Sequence, residues 1–93
     1  MTDAQHLVLA LFTAQPSHPG RSARTLLESV QARYPERVRT SIVDAATQWR
    51  VMEANGIVDV PTFAICENGR VKEALPCGVP DESSLCQVIE RHL

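Results

Sequence analysis

Apolar residues along the chain follow two different periods, and these predict alternating strands and helices. The first segment, from about His6 to Thr13, is a continuous apolar run of the kind that a central strand needs. A loop rich in proline and glycine follows, and apolar residues then recur with helical spacing over roughly residues 19–34. Those apolar positions are Ala23, Leu26, Leu27 and Val30. Ser17 is predicted to cap this helix, with Pro19 in its first turn and Pro35 at its end.

A second strand and a second helix are predicted in the middle of the chain. Val38–Val43 reads as the strand. The helix is predicted over 46–55 and carries Trp49 and Met52 near its apolar side, with Gly56 as its left-handed stop. Trp49 and Met52 are expected to pack in the core or on its flank, whereas an exposed Trp49 would indicate a protein interface, where tryptophan is enriched.

The last third of the chain predicts a hairpin and a final helix. Strands over 60–66 and 70–75 flank Asn68-Gly69, which is the strongest short hairpin signal. Asp81 is predicted to cap the last helix, which begins at Pro80. The order is therefore β-α-β-α-β-β-α, an α/β fold with a four-stranded mixed sheet flanked by three helices. We expect strands separated by helices to be parallel neighbours, and the hairpin to add an antiparallel edge pair.

Composition limits the class of protein. A chain of 93 residues is expected to form a single domain over 1–93, with 44% hydrophobic and 22% charged residues, as in ordinary globular proteins. The net charge of -2 gives no reason to expect nucleic acid as a partner. The apolar run at the start is too short to span a bilayer, so we expect no membrane association and a cytoplasmic protein. Three cysteines without regular spacing fit neither a disulfide framework nor a zinc site, and no metal is expected.

Two motifs carry a resemblance to a known family. Gly56-Ile57-Val58-Asp59-Val60-Pro61-Thr62-Phe63 is followed by Asn68-Gly69-Arg70-Val71 and then by Gly78. Together with the order of elements, this resembles the thioredoxin superfamily over nearly the whole chain, from about Leu7 to Leu93. The resemblance implies a thioredoxin fold without the leading strand and helix of longer thioredoxins. It also implies a cis peptide bond between Val60 and Pro61, a geometry largely confined to bonds before proline.

The second motif departs from the family where the family's chemistry lies. The segment from Phe12 to Arg21 is similar to the thioredoxin active-site segment, and Ser17 and Gly20 stand where the two cysteines would be. The family's buried aspartate and its lysine partner are likewise replaced, by Leu11 and Thr40. Disulfide exchange needs a thiolate, and a hydroxyl remains protonated near neutral pH. Ser-His-Pro-Gly in place of Cys-x-x-Cys therefore implies a degenerate site without ordinary redox turnover.

The residues left at this site support a binding role more readily than a catalytic one. Ser17 has a sufficient structural role as a helix cap, although its hydroxyl and the N–H groups of His18 and Gly20 could receive an acidic or thiol-bearing ligand. His18 is predicted to be a solvated loop residue, because no Ser/His/Asp arrangement accompanies it. Cys77 is the thiol nearest to the site by resemblance, whereas Cys66 and Cys86 are predicted to be structural.

We therefore expect a redox-inactive binding or scaffold domain for a protein or extended peptide, with no cofactor. The candidate binding residues are Ser17, His18, Pro19, Gly20, Val60, Pro61, Cys77 and Gly78. The alternative is an atypical thiol oxidoreductase or glutathione-dependent protein that uses Cys77, the one candidate catalytic residue. Leu11-Phe12-Thr13-Ala14, followed by the segment Arg21–Leu26, also bears a faint similarity to the cysteine-free, thioredoxin-like clock proteins of the cyanobacterial KaiB family.

Overall fold

The computed structural model describes residues 7–93, and His6, the predicted start of the first strand, lies outside them. Four strands and three helices follow one another in the predicted order. They are β1 (Leu7–Thr13), α1 (Arg21–Arg33), β2 (Val38–Asp44), α2 (Trp49–Ala54), β3 (Thr62–Glu67), β4 (Arg70–Ala74) and α3 (Glu82–Arg91). The α/β class and the four-stranded mixed sheet with three helices are confirmed.

The order of strands across the sheet is β2-β1-β3-β4, so β1 lies between β2 and β3. β1 and β2 are parallel, and the Asn68-Gly69 hairpin makes β3 and β4 antiparallel, both as predicted. The expectation of parallel neighbours is wrong for β3, which runs antiparallel to β1 and does not touch β2.

β3 enters the sheet at the same end at which β2 leaves it. The connection between the two strands covers residues 45–61 and contains α2. A connection of this length also allows a crossover, so its length alone does not set the direction of β3. In the structure, Thr62 of β3 lies opposite Phe12, one residue before the end of β1.

The two faces of the sheet carry different cores. On one face, alternate β1 residues Leu7, Leu9 and Leu11 pack with apolar residues of α1 and α3. On the other face, Ala10 and Phe12 pack with apolar residues of the α2 region. The first core is the larger because two helices cover it, whereas the second is covered by one short helix. This alternation follows from the period of two in a strand.

The turns follow their sequence signals more closely than the helix caps do. Gly56 has a φ of 73° just after α2, and Asn68 and Gly69 have φ values of 55° and 78° at the hairpin. The prediction that Ser17 caps α1 is wrong, because Gly20 occupies the N-cap position and no side chain caps the helix. Asp81 does stand at the N-cap of α3, but its side chain makes no capping hydrogen bond.

The second helix begins later than predicted, at Trp49. Asp44 accounts for the delay, because its carboxylate accepts a hydrogen bond from the Ala46 N–H at 2.9 Å. Its carbonyl oxygen accepts the N–H groups of Thr47 and Gln48. These bonds hold residues 45–47 in a turn, and the helix starts only after it.

Candidate functional site

The loop between β1 and α1 is built from turn hydrogen bonds. The Gln15 N–H donates to Thr13 Oγ1 at 3.3 Å, and the His18 N–H donates to the Gln15 carbonyl at 3.0 Å. The first helical bond runs from the Arg24 N–H to the Gly20 carbonyl at 2.9 Å. Because the His18 N–H is already engaged, the alternative in which it receives a ligand is contradicted.

The chain around the predicted cis-proline forms the opposite side of the site. The Val60–Pro61 peptide bond is cis. The Asp59 carboxylate accepts the Val60 N–H at 2.9 Å, and the Asp59 carbonyl accepts the Thr62 hydroxyl at 2.6 Å. The Pro61 carbonyl accepts the Gly78 N–H at 2.7 Å, which holds the β4–α3 connection against Pro61.

These two segments meet in one open cleft of about 420 Å³, which we call the loop cleft. Four of the predicted binding residues line it, namely His18, Gly20, Val60 and Pro61. The remainder of the lining is Thr13, Ala14, Gln15, Arg21, Ser22, Ala23 and Val79. The cleft forms because β1 ends and β3 begins at the same end of two paired strands, so their flanking loops are adjacent. None of the lining residues is a cysteine.

The other predicted residues lie around the loop cleft rather than in its lining. Ser17 is exposed at the loop, and Pro19 is buried beneath it. Cys77 and Gly78 line a second cleft of about 410 Å³ between β4 and α3, which we call the cysteine cleft. Val79 lines both clefts, so the two adjoin along the β4–α3 connection.

A third cleft, which sequence reasoning missed, adjoins the loop cleft on its other side. It has a volume of about 420 Å³ and is lined mainly by apolar residues of the α2 region, and we call it the tryptophan cleft. Its lining is Ala45, Trp49, Met52, Glu53, Ile57, Val58, Asp59 and Val60. Val60 lines both this cleft and the loop cleft.

The rim of the tryptophan cleft carries exposed apolar side chains. Trp49 is 51% exposed and Val58 is 92% exposed, and the Arg50 guanidinium lies 5.0 Å from the centre of the Trp49 ring. Of the two residues expected in the core or on its flank, Met52 is buried, whereas Trp49 is half exposed, which is the arrangement expected of a protein interface. A large exposed aromatic beside a cleft is typical of surfaces that bind proteins.

The chemistry available near the clefts is limited. All three cysteines are free, and of these Cys77 is exposed, Cys66 is half-buried and Cys86 is buried. Burial raises the pKa of the Cys66 thiol, which disfavours its thiolate. Leu11, where the resemblance implies an aspartate, is fully buried in the apolar core. Among residues 7–93, no group of His, Cys, Asp and Glu side chains is arranged to hold a metal ion.

Comparison with known proteins identifies the fold. No protein-family model and no curated protein matches the chain. Solved structures do match: the germline-specific thioredoxin Deadhead of Drosophila melanogaster is 18% identical with a TM-score of 0.72, over 95% of this chain and 82% of that one. A mutant thioredoxin of Halobacterium salinarum is 26% identical with a TM-score of 0.65, over 91% and 73% of the two chains. The thioredoxin of Fasciola hepatica is 23% identical with a TM-score of 0.64, over 95% and 82%. The chain therefore has a thioredoxin-like fold.

In the part of the chain that the structure describes, no helix is long and apolar enough to cross a membrane.

Proposed function

We propose that this thioredoxin-like domain is a redox-inactive binding module that recognises an extended segment of a partner protein at the loop cleft. The observation that carries the proposal is the composition of that cleft, in which a helix start and Val60-Pro61 face each other without any thiol. Ser17 and Gly20, the positions where a dithiol would stand, carry a hydroxyl and a hydrogen. A hydroxyl does not attack a disulfide at neutral pH, so the cleft can hold a partner without reacting with it.

An extended peptide fits the shape and the polarity of this surface. The three adjoining clefts form a continuous surface through the shared residues Val60 and Val79. Their exposed apolar side chains can take alternate side chains of a peptide. Backbone groups of the loops can pair with its main chain, as in other modes of extended-peptide recognition.

The first test asks whether the chain fails to reduce disulfides because positions 17 and 20 carry no thiol. In an insulin-reduction assay with dithiothreitol as the electron source, we expect the natural chain to show no catalysis above the reductant alone. The double substitution Ser17→Cys and Gly20→Cys should introduce catalysis, because a side chain at Gly20 meets no neighbouring atom within 4 Å. Catalysis by the natural chain at a rate comparable with that of the double variant would refute a redox-inactive role.

The second test maps the binding surface with matched variants. Extended peptides selected from a random display library would be titrated against the natural chain, Val79→Lys and Val51→Lys. The two valines are 43% and 42% exposed, but only Val79 lines the proposed surface. We expect Val79→Lys to weaken binding about tenfold or more, which is about 1.4 kcal/mol, and Val51→Lys to leave it unchanged. Equal effects of the two variants would place the binding site elsewhere.

The exposure of Cys77 favours a second candidate function, thiol chemistry in the cysteine cleft. In that case its thiolate would attack a disulfide such as oxidised glutathione, forming a mixed disulfide and releasing one thiolate. Preferential alkylation of Cys77 would not distinguish the two functions, because exposure alone makes it the first thiol to react. The pH dependence of its alkylation rate does distinguish them. A midpoint at least about one unit below that of an ordinary thiol would support thiol chemistry, and an ordinary midpoint would exclude it.

A further inference from the structure

The outer edge of β2 lies outside the proposed binding surface, and within residues 7–93 some of its backbone groups have no partner. Among these residues, β2 and β4 are the two edge strands of the sheet. A strand at an edge presents a row of N–H and C=O groups that can pair with another chain, unless the sequence prevents it.

Pairing with β1 shows which groups of β2 point outward. The Leu7 N–H donates to the Arg37 carbonyl, and the Ala45 N–H donates to the Thr13 carbonyl. The backbone N–H and C=O groups of the odd-numbered residues in and beside β2 are therefore directed towards β1. In a parallel pair, the alternate residues of a strand direct both of their backbone groups to the same side. The even-numbered residues of β2 therefore point away from the sheet. In agreement, the Val38 carbonyl accepts a hydrogen bond from the Gln31 side chain at 2.8 Å.

Only the central part of this edge is free. Both backbone groups of Val38 are engaged, since its N–H donates to the Tyr34 carbonyl. The Asp44 carbonyl accepts hydrogen bonds from the turn that follows β2. Within residues 7–93, the N–H and C=O groups of Thr40 and Ile42 have no hydrogen-bond partner.

The two edges of the sheet differ in the features that prevent pairing. β4 carries charged side chains at three of its five positions, Arg70, Lys72 and Glu73, and its pairing with β3 is interrupted between Ile65 and Cys66. Charges and irregular pairing both protect an edge strand. β2 pairs with β1 in one regular register, and its central residues 40–42 are uncharged. The β2 edge is therefore the one that is open to another strand.

The free groups are spaced so that this edge is complementary to itself. In an antiparallel pair with a two-fold axis at Ser41, Thr40 lies opposite Ile42 of a second copy, and each such pair exchanges two backbone hydrogen bonds. An axis at Thr40 would require the backbone groups of Val38, which are engaged. An axis at Ile42 would require the Asp44 carbonyl, which is also engaged. The register centred on Ser41 is the one that uses the free groups alone.

The charges on the neighbouring helix suit the same two-fold arrangement. α1 borders the β2 edge across a groove of about 830 Å³ that Thr40, Ser41 and Ile42 also line. Arg24 and Glu28 lie on the helix side of this groove, and neither forms a salt bridge within residues 7–93. A two-fold axis reverses the direction of the helix, so an axis that passes midway between the two positions would place Arg24 of one α1 beside Glu28 of the other. Opposite charges would then face each other in both halves of the interface.

We propose that the β2 edge is a homodimer interface, in which β2 pairs antiparallel with β2 of a second copy around Ser41. The two sheets then join into one of eight strands, four from each copy. Ile42, which is 41% exposed, becomes covered in this arrangement. The interface lies at the β2 edge, whereas none of the three clefts is lined by a residue of β2, so dimerisation and peptide binding are separate properties.

Sedimentation velocity between about 10 µM and about 1 mM covers the range in which small interfaces associate. We expect the natural chain to show a concentration-dependent dimer, and Ile42→Lys to raise its dissociation constant about tenfold or more by placing a charge in the interface. The matched control Val79→Lys should leave the dimer unchanged, since Val79 is similarly exposed but lies on the β4–α3 connection, outside β2 and α1. A chain that stays monomeric throughout, or a dimer that both variants affect equally, would overturn the proposal.

Cross-linking tests the register independently of stability. With Cys66, Cys77 and Cys86 replaced by alanine, a Ser41→Cys chain should oxidise to a disulfide-linked dimer, because a residue on the axis faces itself at about 4.5–5.5 Å between Cα atoms. The matched control is Ser83→Cys, which is also exposed but lies on α3. Faster cross-linking at position 41 supports the register, and equal rates at both positions overturn it. Because these measurements use no peptide, their failure is distinguishable from failure of the proposed binding function.

Discussion

A single carboxylate controls the backbone donor at the centre of the proposed binding surface. The Val60 N–H, which an extended peptide would use, is held by its neighbour Asp59 at 2.9 Å. Since Asp59 and this bond are exposed, the bond contributes little to folding. Its main consequence is competition, because a partner must displace the carboxylate before it can pair with Val60.

We predict that Asp59→Ala opens this donor. The Val60 amide should exchange its hydrogen with solvent faster, as measured by NMR, and selected peptides should bind about 2- to 10-fold more tightly, since a hydrogen bond is worth about 0.5–1.5 kcal/mol net. Glu36→Ala serves as the control, because it removes the same charge from an exposed side chain that lines none of the three clefts. Unchanged exchange at Val60 together with unchanged peptide affinity would contradict this role for Asp59.

The start of α1 yields a second residue-level prediction. Ser17→Ala should change the free energy of unfolding by less than about 0.5 kcal/mol, because Ser17 is exposed and does not cap the helix. Gly20→Asp should raise it by about 0.3–1 kcal/mol, through a new cap and a favourable charge at the helix N-terminus. Urea unfolding of both variants measures these changes. A larger loss from Ser17→Ala than the gain from Gly20→Asp would restore Ser17 as a stabilising residue.

Sequence reasoning misplaced the helix cap for a physical reason. Ser17 has the right residue type and stands near the first apolar residue of the helix, which is the usual evidence for an N-cap. The turn that joins His18 to Gln15 competes for the same residues, and it delays the helix until Arg21. Such local turns depend on backbone hydrogen bonds that residue type alone does not determine.

At the scale of elements, one hydrogen bond ties the end of α1 to the end of α3. The Tyr34 hydroxyl donates to Glu90 Oε2 at 2.6 Å. This bond, together with burial, raises the pKa of Tyr34 to about 12 from its ordinary value of about 10. The folded chain therefore holds the phenol proton more tightly than the unfolded chain does. The resulting stabilisation is complete below about pH 10 and is lost as the pH rises towards 12.

We predict that Glu90→Ala lowers the titration midpoint of Tyr34 towards 10. Tyr34 is the only tyrosine in the chain, so the near-ultraviolet absorbance of phenolate reports on it alone. Circular dichroism of the same samples would show that the chain remains folded. Glu53→Ala is the matched control, because Glu53 is an exposed helical glutamate that lies away from Tyr34. Identical midpoints in the natural chain and in Glu90→Ala would mean that the bond does not set this pKa.

The order of elements was predictable because it depends on periodicity and turn residues that the sequence displays directly. The Asn68-Gly69 turn and the Gly56 stop adopt the positive φ values that these residue types favour. The direction of β3 was not predicted, because the connection over residues 45–61 is long enough for either direction and residue types alone do not determine which one forms.

At the scale of the whole molecule, the sequence located half of the candidate site. The loop after β1 and the loop before β3 were identified by motif, and the pairing of Phe12 with Thr62 brings them together. The apolar rim around them was not identified, because residue type alone does not show whether a valine or a tryptophan is buried or exposed. Only the short α2, which covers part of one sheet face, explains why Trp49 reaches solvent.

Trp49 and Met52 lie on the same helix and provide the sharpest test of this division between core and surface. Trp49→Ala should lower the free energy of unfolding by only about 1 kcal/mol, because half of the side chain is exposed, whereas Met52→Ala should cost about 2 kcal/mol or more. Peptide binding, measured at a temperature where both variants are folded, should show the reverse order. Trp49→Ala should then weaken it about tenfold, since interface energy concentrates in aromatic residues, while Met52→Ala should change it little.

A stability loss from Trp49→Ala as large as that from Met52→Ala would show that Trp49 belongs to the core, and its exposure would then give no support to a binding role. The predicted reversal, in which Trp49 matters more than Met52 for peptide binding and less for stability, leads to a stronger conclusion. A domain that leaves a tryptophan half exposed gains nothing in folding from its uncovered half, because the hydrophobic effect acts only on surface that is removed from water. If the same residue dominates affinity for a peptide, the covering of that half is supplied by the partner, and the surface around Val60-Pro61 functions by association alone.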